Sequence, residues 1–231
     1  MIVNNFNDKN LIRNPIFTHL LKDNIVIGFI GNIGVGKTTI IENLKKRLLK
    51  VLENFEIRIN TELITEDIKN FYEEPKKNAF SYQIKILSKS IKKYIEMEEL
   101  IFSDKNKKRL FLLDRTPLDN WVFARTLLEF TYIKVIDYES YINLYNVFIK
   151  KKIIIPQLLI YLTTESIDSL LERILERGND YEKNITKEYL LMINKFYEQW
   201  IFDWNRYQKD SPIIKVNIDI IGWEELIYIS Y

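Results

Sequence analysis

The chain has 231 residues, 47% of them hydrophobic, and 34 lysines and arginines against 32 aspartates and glutamates. That length supports one domain with a full core and leaves little room for two, while a net charge of +2 lacks the basic excess of a protein that coats nucleic acid. The absence of cysteine excludes disulfides, thiolate metal sites and cysteine nucleophiles, and agrees with a reducing, cytoplasmic setting.

Residues 1–24 mix Asn, Asp and Lys with scattered apolar positions and read as an N-terminal extension without a signal peptide, ahead of a single domain over 25–231. The one histidine, His19, lies in that extension, so histidine chemistry is not expected. The first strand is predicted at Ile25–Ile30. Directly after it comes Gly31-Asn32-Ile33-Gly34-Val35-Gly36-Lys37-Thr38, the G-x-x-x-x-G-K-[ST] pattern in its strand-to-helix context. Glycines let backbone N–H groups turn inward around phosphate oxygens, and the following helix adds its partial positive charge. In such a loop Lys37 reaches the β and γ phosphates of ATP and Thr38 can ligate magnesium.

A helix follows over Thr38–Asn54, then a strand at Ile57–Ile59. Glu62 sits just past that strand, where a carboxylate beside a phosphate site can take the proton of an attacking hydroxyl; by itself it also fits an exposed helix cap. Ile84, Leu87, Ile91 and Ile95 recur at helical spacing and are expected to form a core stripe. No apolar run approaches the roughly 18 residues of a membrane span.

The third strand, Leu110–Leu113, ends in Asp114-Arg115-Thr116, at the carboxyl edge where ligands of open α/β sheets gather. Asp114 can serve magnesium through water and Arg115 can hold an acceptor, with a mutual surface ion pair as the lesser alternative. Pro117 stands where a GTPase needs glycine. Helices are predicted at Leu118–Phe130 and Tyr138–Lys150, a strand at Leu158–Leu162 and a helix at Ile167–Arg177. Arg173 and Arg177 lie four apart ahead of Gly178, so they can close over a transferring phosphoryl group or pair with Glu172 and Glu176 on a solvated face. The chain then runs through a helix at Thr186–Tyr207, a strand at Ile213–Val216 and a helix at Trp223–Ile229. Phe196, Trp200 and Trp204 share one helical face and read as core or subunit contact. Strands alternating with helices predict an α/β fold with a five-stranded parallel sheet flanked on both faces, with a lid segment.

In order and spacing these segments resemble the deoxynucleoside kinase family, which includes deoxycytidine, deoxyguanosine and broad-specificity insect enzymes. The resemblance rests on Gly31 to Thr39, Thr61-Glu62, Tyr72-x-x-Pro75-Lys76-Lys77-x-Ala79-x-x-Tyr82-Gln83, Asp114-Arg115-Thr116, Pro156-x-Leu158-x-x-Tyr161-Leu162 and Glu172-Arg173-Ile174-x-x-Arg177-Gly178. It implies a P-loop kinase fold, and ATP and magnesium as cofactors on Gly31 to Thr39 and Asp114. It also implies Glu62 as base on the 5′-hydroxyl, Arg115 orienting that hydroxyl, and Gln83 on the base edge. Tyr72 and Glu182 would hold the 3′-hydroxyl, Phe123 would stack on the base, and Arg173 and Arg177 would be lid arginines. The adenine of ATP would lie near Asn217 to Ile221.

The chain departs from the pattern at several points. Leu63 and Asp67 stand where the family has Pro and Trp, and Asn179 where it has a third lid arginine. Asp119 aligns with the acid that favours amino-bearing bases, with Ser90 in place of its arginine partner; this leans toward deoxycytidine or deoxyadenosine. The expected activity is ATP-dependent phosphorylation of a deoxynucleoside in nucleotide salvage, by a homodimer that contacts neither nucleic acid nor membrane, the subunits meeting through the helices of Trp121 and Trp200. Two alternatives stand beside it: a monophosphate kinase of thymidylate-kinase type and an ATP-binding sensor without catalysis.

Overall fold

The computed structural model describes residues 23–61, 67–104, 106–152, 155–207 and 211–220. Glu62, Leu63, His19, Ile221 and the helix expected at Trp223–Ile229 lie outside them. Five strands form one sheet, β1 (Asn24–Gly31), β2 (Phe55–Asn60), β3 (Lys108–Asp114), β4 (Leu158–Thr163) and β5 (Ile213–Asn217), in the order β2-β3-β1-β4-β5. All pairings are parallel. An all-parallel sheet is covered on both faces, and the central strands show it: β3 is buried at every position after Lys108, whereas the edge strand β2 buries only Ile57. Alternation divides β3 between the two faces. Leu110 and Leu112 join the larger core cluster, while Phe111 and Leu113 pack with Val26, Tyr94, Met97 and Ile101 on the opposite side.

The helices are α1 (Lys37–Leu48), α2 (Ile68–Glu73), α3 (Pro75–Ser103), α4 (Asn120–Glu129), α5 (Val135–Lys152), α6 (Ile167–Arg177) and α7 (Lys187–Tyr207). Short 3-10 turns at Pro117–Asp119 and Asp180–Asn184 precede α4 and α7. The first helix stops at Leu48, short of the expected Asn54, and Leu49 and Val51 are exposed. Twelve residues rise about 18 Å, close to the ~20 Å of a six-residue strand; a longer helix would overshoot the start of β2.

The stripe on α3 also differs from expectation. Leu87 is fully buried, but Ile84 and Ile91 are only partly buried and Ile95 is exposed. The buried seam runs instead through Ala79, Gln83, Leu87, Ser90, Tyr94, Met97 and Ile101. Two of its members are polar, so a hydrophobic period finds the wrong phase. Phe196, Trp200 and Trp204 on α7 are core residues. Trp200 stacks on Trp204 at 5.1 Å between centroids, Trp121 meets Phe196 edge-on at 6.0 Å, and the Trp204 indole N–H donates to the Ser211 carbonyl at 2.8 Å. Rings of this size are each worth about 3–5 kcal/mol. The rings of these tryptophans are thus packed inside the chain.

Candidate functional site

β1 lies between β3 and β4 because the chain crosses to β2 on one side and later returns to β4 on the other. The carboxyl ends at such a reversal form a crevice. The loop after β1 enters α1 through Gly36, whose φ of 88° is left-handed, as is Gly34 at 78°. A Cβ on Gly34 would stand 2.9 Å from the Leu170 carbonyl oxygen, so only glycine fits there without displacing α6. The loop has an underside and a face. Asn32 is buried and ties it to α7, its amide donating to the Leu190 carbonyl at 2.8 Å and to Asn194 Oδ1 at 2.6 Å; Val35 is buried too. Ile33, Gly34, Gly36, Lys37, Thr38 and Thr39 line the open cavity. The Lys37 ammonium bridges the loop, donating to the carbonyls of Gly31 at 3.1 Å and Asn32 at 2.8 Å.

That cavity measures about 680 Å³ and unites most of the residues singled out in the sequence. Asp114 and Arg115 enter from β3, Tyr72 from α2, Gln83 from α3, Phe123 from α4, Arg173 and Arg177 from α6, and Glu182 from the turn before α7. The Thr38 hydroxyl donates to Asp114 Oδ2 at 2.5 Å, so the pair supplies only oxygen ligands, the set a hard divalent cation takes. Arg115 is a non-glycine residue at φ 67°. Its guanidinium lies 4.3 Å from the Phe123 ring centroid and donates to the Gly31 carbonyl at 3.2 Å. Gly178 ends α6 in the left-handed conformation, which delivers Arg177 to Glu182 at 3.0 Å. Asn179, where the resemblance expects a third arginine, donates to the other Glu182 oxygen at 2.9 Å. Both oxygens of that carboxylate are therefore held. Gln83 is 4% exposed, and its Oε1 has no hydrogen-bond partner among the described residues.

Asp119 does not line the cavity. It is fully buried; Oδ1 accepts from the Thr116 N–H at 2.8 Å and hydroxyl at 2.9 Å, and Oδ2 accepts from the Tyr197 hydroxyl at 2.7 Å. The next residue, Asn120, lines the cavity and donates to Ser90 Oγ at 2.8 Å. The reason is angular. Asp119 closes the 3-10 turn and Asn120 opens α4, and one helical residue rotates the side chain by about 100°.

Sequence reasoning missed Asn120 and Lys93. The Lys93 ammonium donates to the Thr61 carbonyl at 2.6 Å on the cavity wall, and burial pulls its pKa below the ordinary lysine value, against the opposing pull of Glu96 and Asp114. Extending the face of Gln83 at helical spacing, through Ile86, Ser90 and Lys93, would have found it. No helix among the described residues is long and apolar enough to cross a membrane.

Comparison with known proteins sets this geometry in context. The family profile described as deoxynucleoside kinase matches residues 26–226. A deoxyadenosine kinase of Dictyostelium discoideum is 32% identical over 204 residues, covering 87% of this chain and 73% of that protein. A deoxyadenosine/deoxycytidine kinase of Bacillus subtilis is 26% identical over 203 residues, covering 87% and 86%. Among solved structures, deoxyadenosine kinase from M. mycoides with bound dCTP superposes with a TM-score of 0.70 at 25% identity, covering 89% of this chain and 96% of that one.

Proposed function

The chain belongs to the deoxynucleoside kinase family, and from that premise we propose which of its residues carry the phosphorylation of a deoxynucleoside by ATP. The observation that supports the reading is one cavity lined both by the phosphate loop and by Gln83, Tyr72 and Glu182. ATP lies on the loop, with its phosphates against the backbone N–H groups, Lys37 and the start of α1. The deoxynucleoside occupies the part of the cavity lined by Gln83, Tyr72 and Glu182. Gln83 meets the base edge, with Asn120 and Ser90 beside it in place of an ion pair, Phe123 packs against the base, and Tyr72 and Glu182 take the 3′-hydroxyl.

Glu62, next in sequence after the cavity residue Thr61, is the base that takes the 5′-hydroxyl proton. Such a step is worth about a hundred- to ten-thousand-fold. Arg115 orients the hydroxyl, and Arg173 and Arg177 stabilise charge on the phosphoryl group in flight. Thr38 and Asp114 would hold magnesium, which supplies neutralisation of phosphate charge when bound. The products are the deoxynucleoside monophosphate and ADP. Deoxyadenosine and deoxycytidine are the first acceptors to try, since the relatives are named for them and an unpartnered amide oxygen suits a base amino group.

The homodimer belongs to the same proposal, with its contact on the exposed apolar residues Val135, Ile136, Leu144 and Val147 of α5, and the setting is the cytoplasm. The test is radiolabelled ATP with matched panels of deoxynucleosides and their monophosphates. Transfer to deoxynucleosides is expected, and Lys37→Ala and Glu62→Ala are expected to abolish it with the fold intact. Near wild-type turnover in either variant, or transfer confined to monophosphates, refutes the assignment.

A further inference from the structure

Two buried polar side chains, Tyr197 and Asp119, converge behind Arg115, and neither is among the residues that line the cavity. The Tyr197 hydroxyl, brought in by α7, accepts from Arg115 Nη1 at 3.1 Å and donates to Asp119 Oδ2 at 2.7 Å. Asp119 Oδ2 itself lies 3.6 Å from Nη1, while Oδ1 is held by the Thr116 N–H and hydroxyl. Tyr197 and Asp119 are both fully buried. A carboxylate taken out of water is costly unless paired, and the guanidinium beside Asp119 is the charge that compensates it. Arg115 also sits at a φ of 67°, which a bulky residue holds only when its surroundings over-determine it.

We infer that Asp119 and Tyr197 are positioning residues: a buried acid and a phenol that hold the Arg115 guanidinium in register with the phosphate loop. The register is set by the same Nη1, which donates to the Gly31 carbonyl at the head of that loop as well as to Tyr197. Each anchor removes one way for the guanidinium to swing. The Phe123 ring under its face removes another, and the Arg115 backbone N–H donates to the Phe29 carbonyl at 3.0 Å, which fixes the main chain from which the side chain departs. Burial and the adjoining Asp119 charge raise the Tyr197 pKa well above the ordinary value for a phenol, so the hydroxyl stays a donor throughout the working pH range. This use of Asp119 explains why the acid that the sequence aligns with a base contact faces away from the cavity. An acid on the base edge would read the substrate, whereas this one fixes an arginine.

The inference rests on the reading that Arg115 orients the acceptor hydroxyl, and a double-mutant cycle separates the two. Tyr197→Phe keeps the ring packed against Tyr161 and Phe123 and deletes only the hydroxyl. Its kcat is expected to fall about tenfold or more while KM for ATP stays within about twofold. Placed in an Arg115→Ala background, the same change is expected to lower turnover no further. A role in folding alone would reduce activity by the same factor in both backgrounds, and that result overturns the inference, as does wild-type turnover of Tyr197→Phe beside a crippled Arg115→Ala. Wild-type turnover of Arg115→Ala removes the role of the arginine itself and the inference with it. If Tyr197→Phe melts below the assay temperature, Asp119→Asn carries the same cycle with the same outcomes.

Discussion

Replacing Gln83 by methionine is expected to make the unliganded protein more stable and a poorer enzyme at the same time. Methionine has the same unbranched reach and nearly the same helix propensity, so α3 loses neither shape nor turn. What it loses is an amide whose oxygen is buried without a partner among the described residues. Leaving such a group unsatisfied costs about 1–3 kcal/mol, which the substitution recovers; in a domain of this size each kcal/mol raises Tm by about 2–4 °C. On the proposed reading the same deletion also removes the hydrogen bonds that this buried amide offers to the base. A loss of about 1–3 kcal/mol there is roughly a 5- to 150-fold fall in kcat/KM. Differential scanning fluorimetry without ligands and steady-state kinetics with deoxyadenosine and deoxycytidine read the two halves separately. A variant that melts lower than wild type would mean that Gln83 is satisfied in the free protein. Unchanged kcat/KM would mean that the base is not read by this residue.

Light scattering at working concentration is expected to give twice the chain mass, and Val135→Glu with Val147→Glu on α5 is expected to reduce it to the monomer; a monomeric wild type refutes the dimer. In acid, Asp219 supplies a titration signature. The Thr164 hydroxyl, at 2.5 Å, is the chief cause that holds its carboxyl below the ordinary 3.8. Because the folded value is the lower one, the ionised form stabilises the fold above the unfolded value, and that contribution is lost as pH falls through the folded value. The Tm gap between wild type and Asp219→Asn should therefore be constant near neutrality and close below about pH 4; a gap that persists in strong acid contradicts it.

Much of this molecule is determined by short stretches of sequence. The phosphate loop is legible because its chemistry is local: three glycines, a lysine and a threonine within eight residues dictate a left-handed turn and a helix start whatever surrounds them. The five strands are legible because an all-parallel sheet buries both faces, so each central strand is a continuous apolar run between turn signals. Gly178 announces the end of α6 for the same local reason, and with it the delivery of Arg177.

Only the tertiary structure decided which polar side chains face the cavity. On α3 the seam toward the core and cavity includes Gln83 and Ser90, and a hydrophobic period has no means of seeing polar positions, so the isoleucines pointed to a neighbouring face. Lys93 was hidden likewise, as a lysine on a helix full of lysines. Asp119 and Asn120 are adjacent, and which of them faces the cavity depends on where the 3-10 turn gives way to α4 and on a tyrosine 78 positions later that claims the acid. Local residues specify turns, strands and caps through forces acting within a few positions. The direction of a buried polar group is set by partners distant in sequence, and those exist only once the chain has folded.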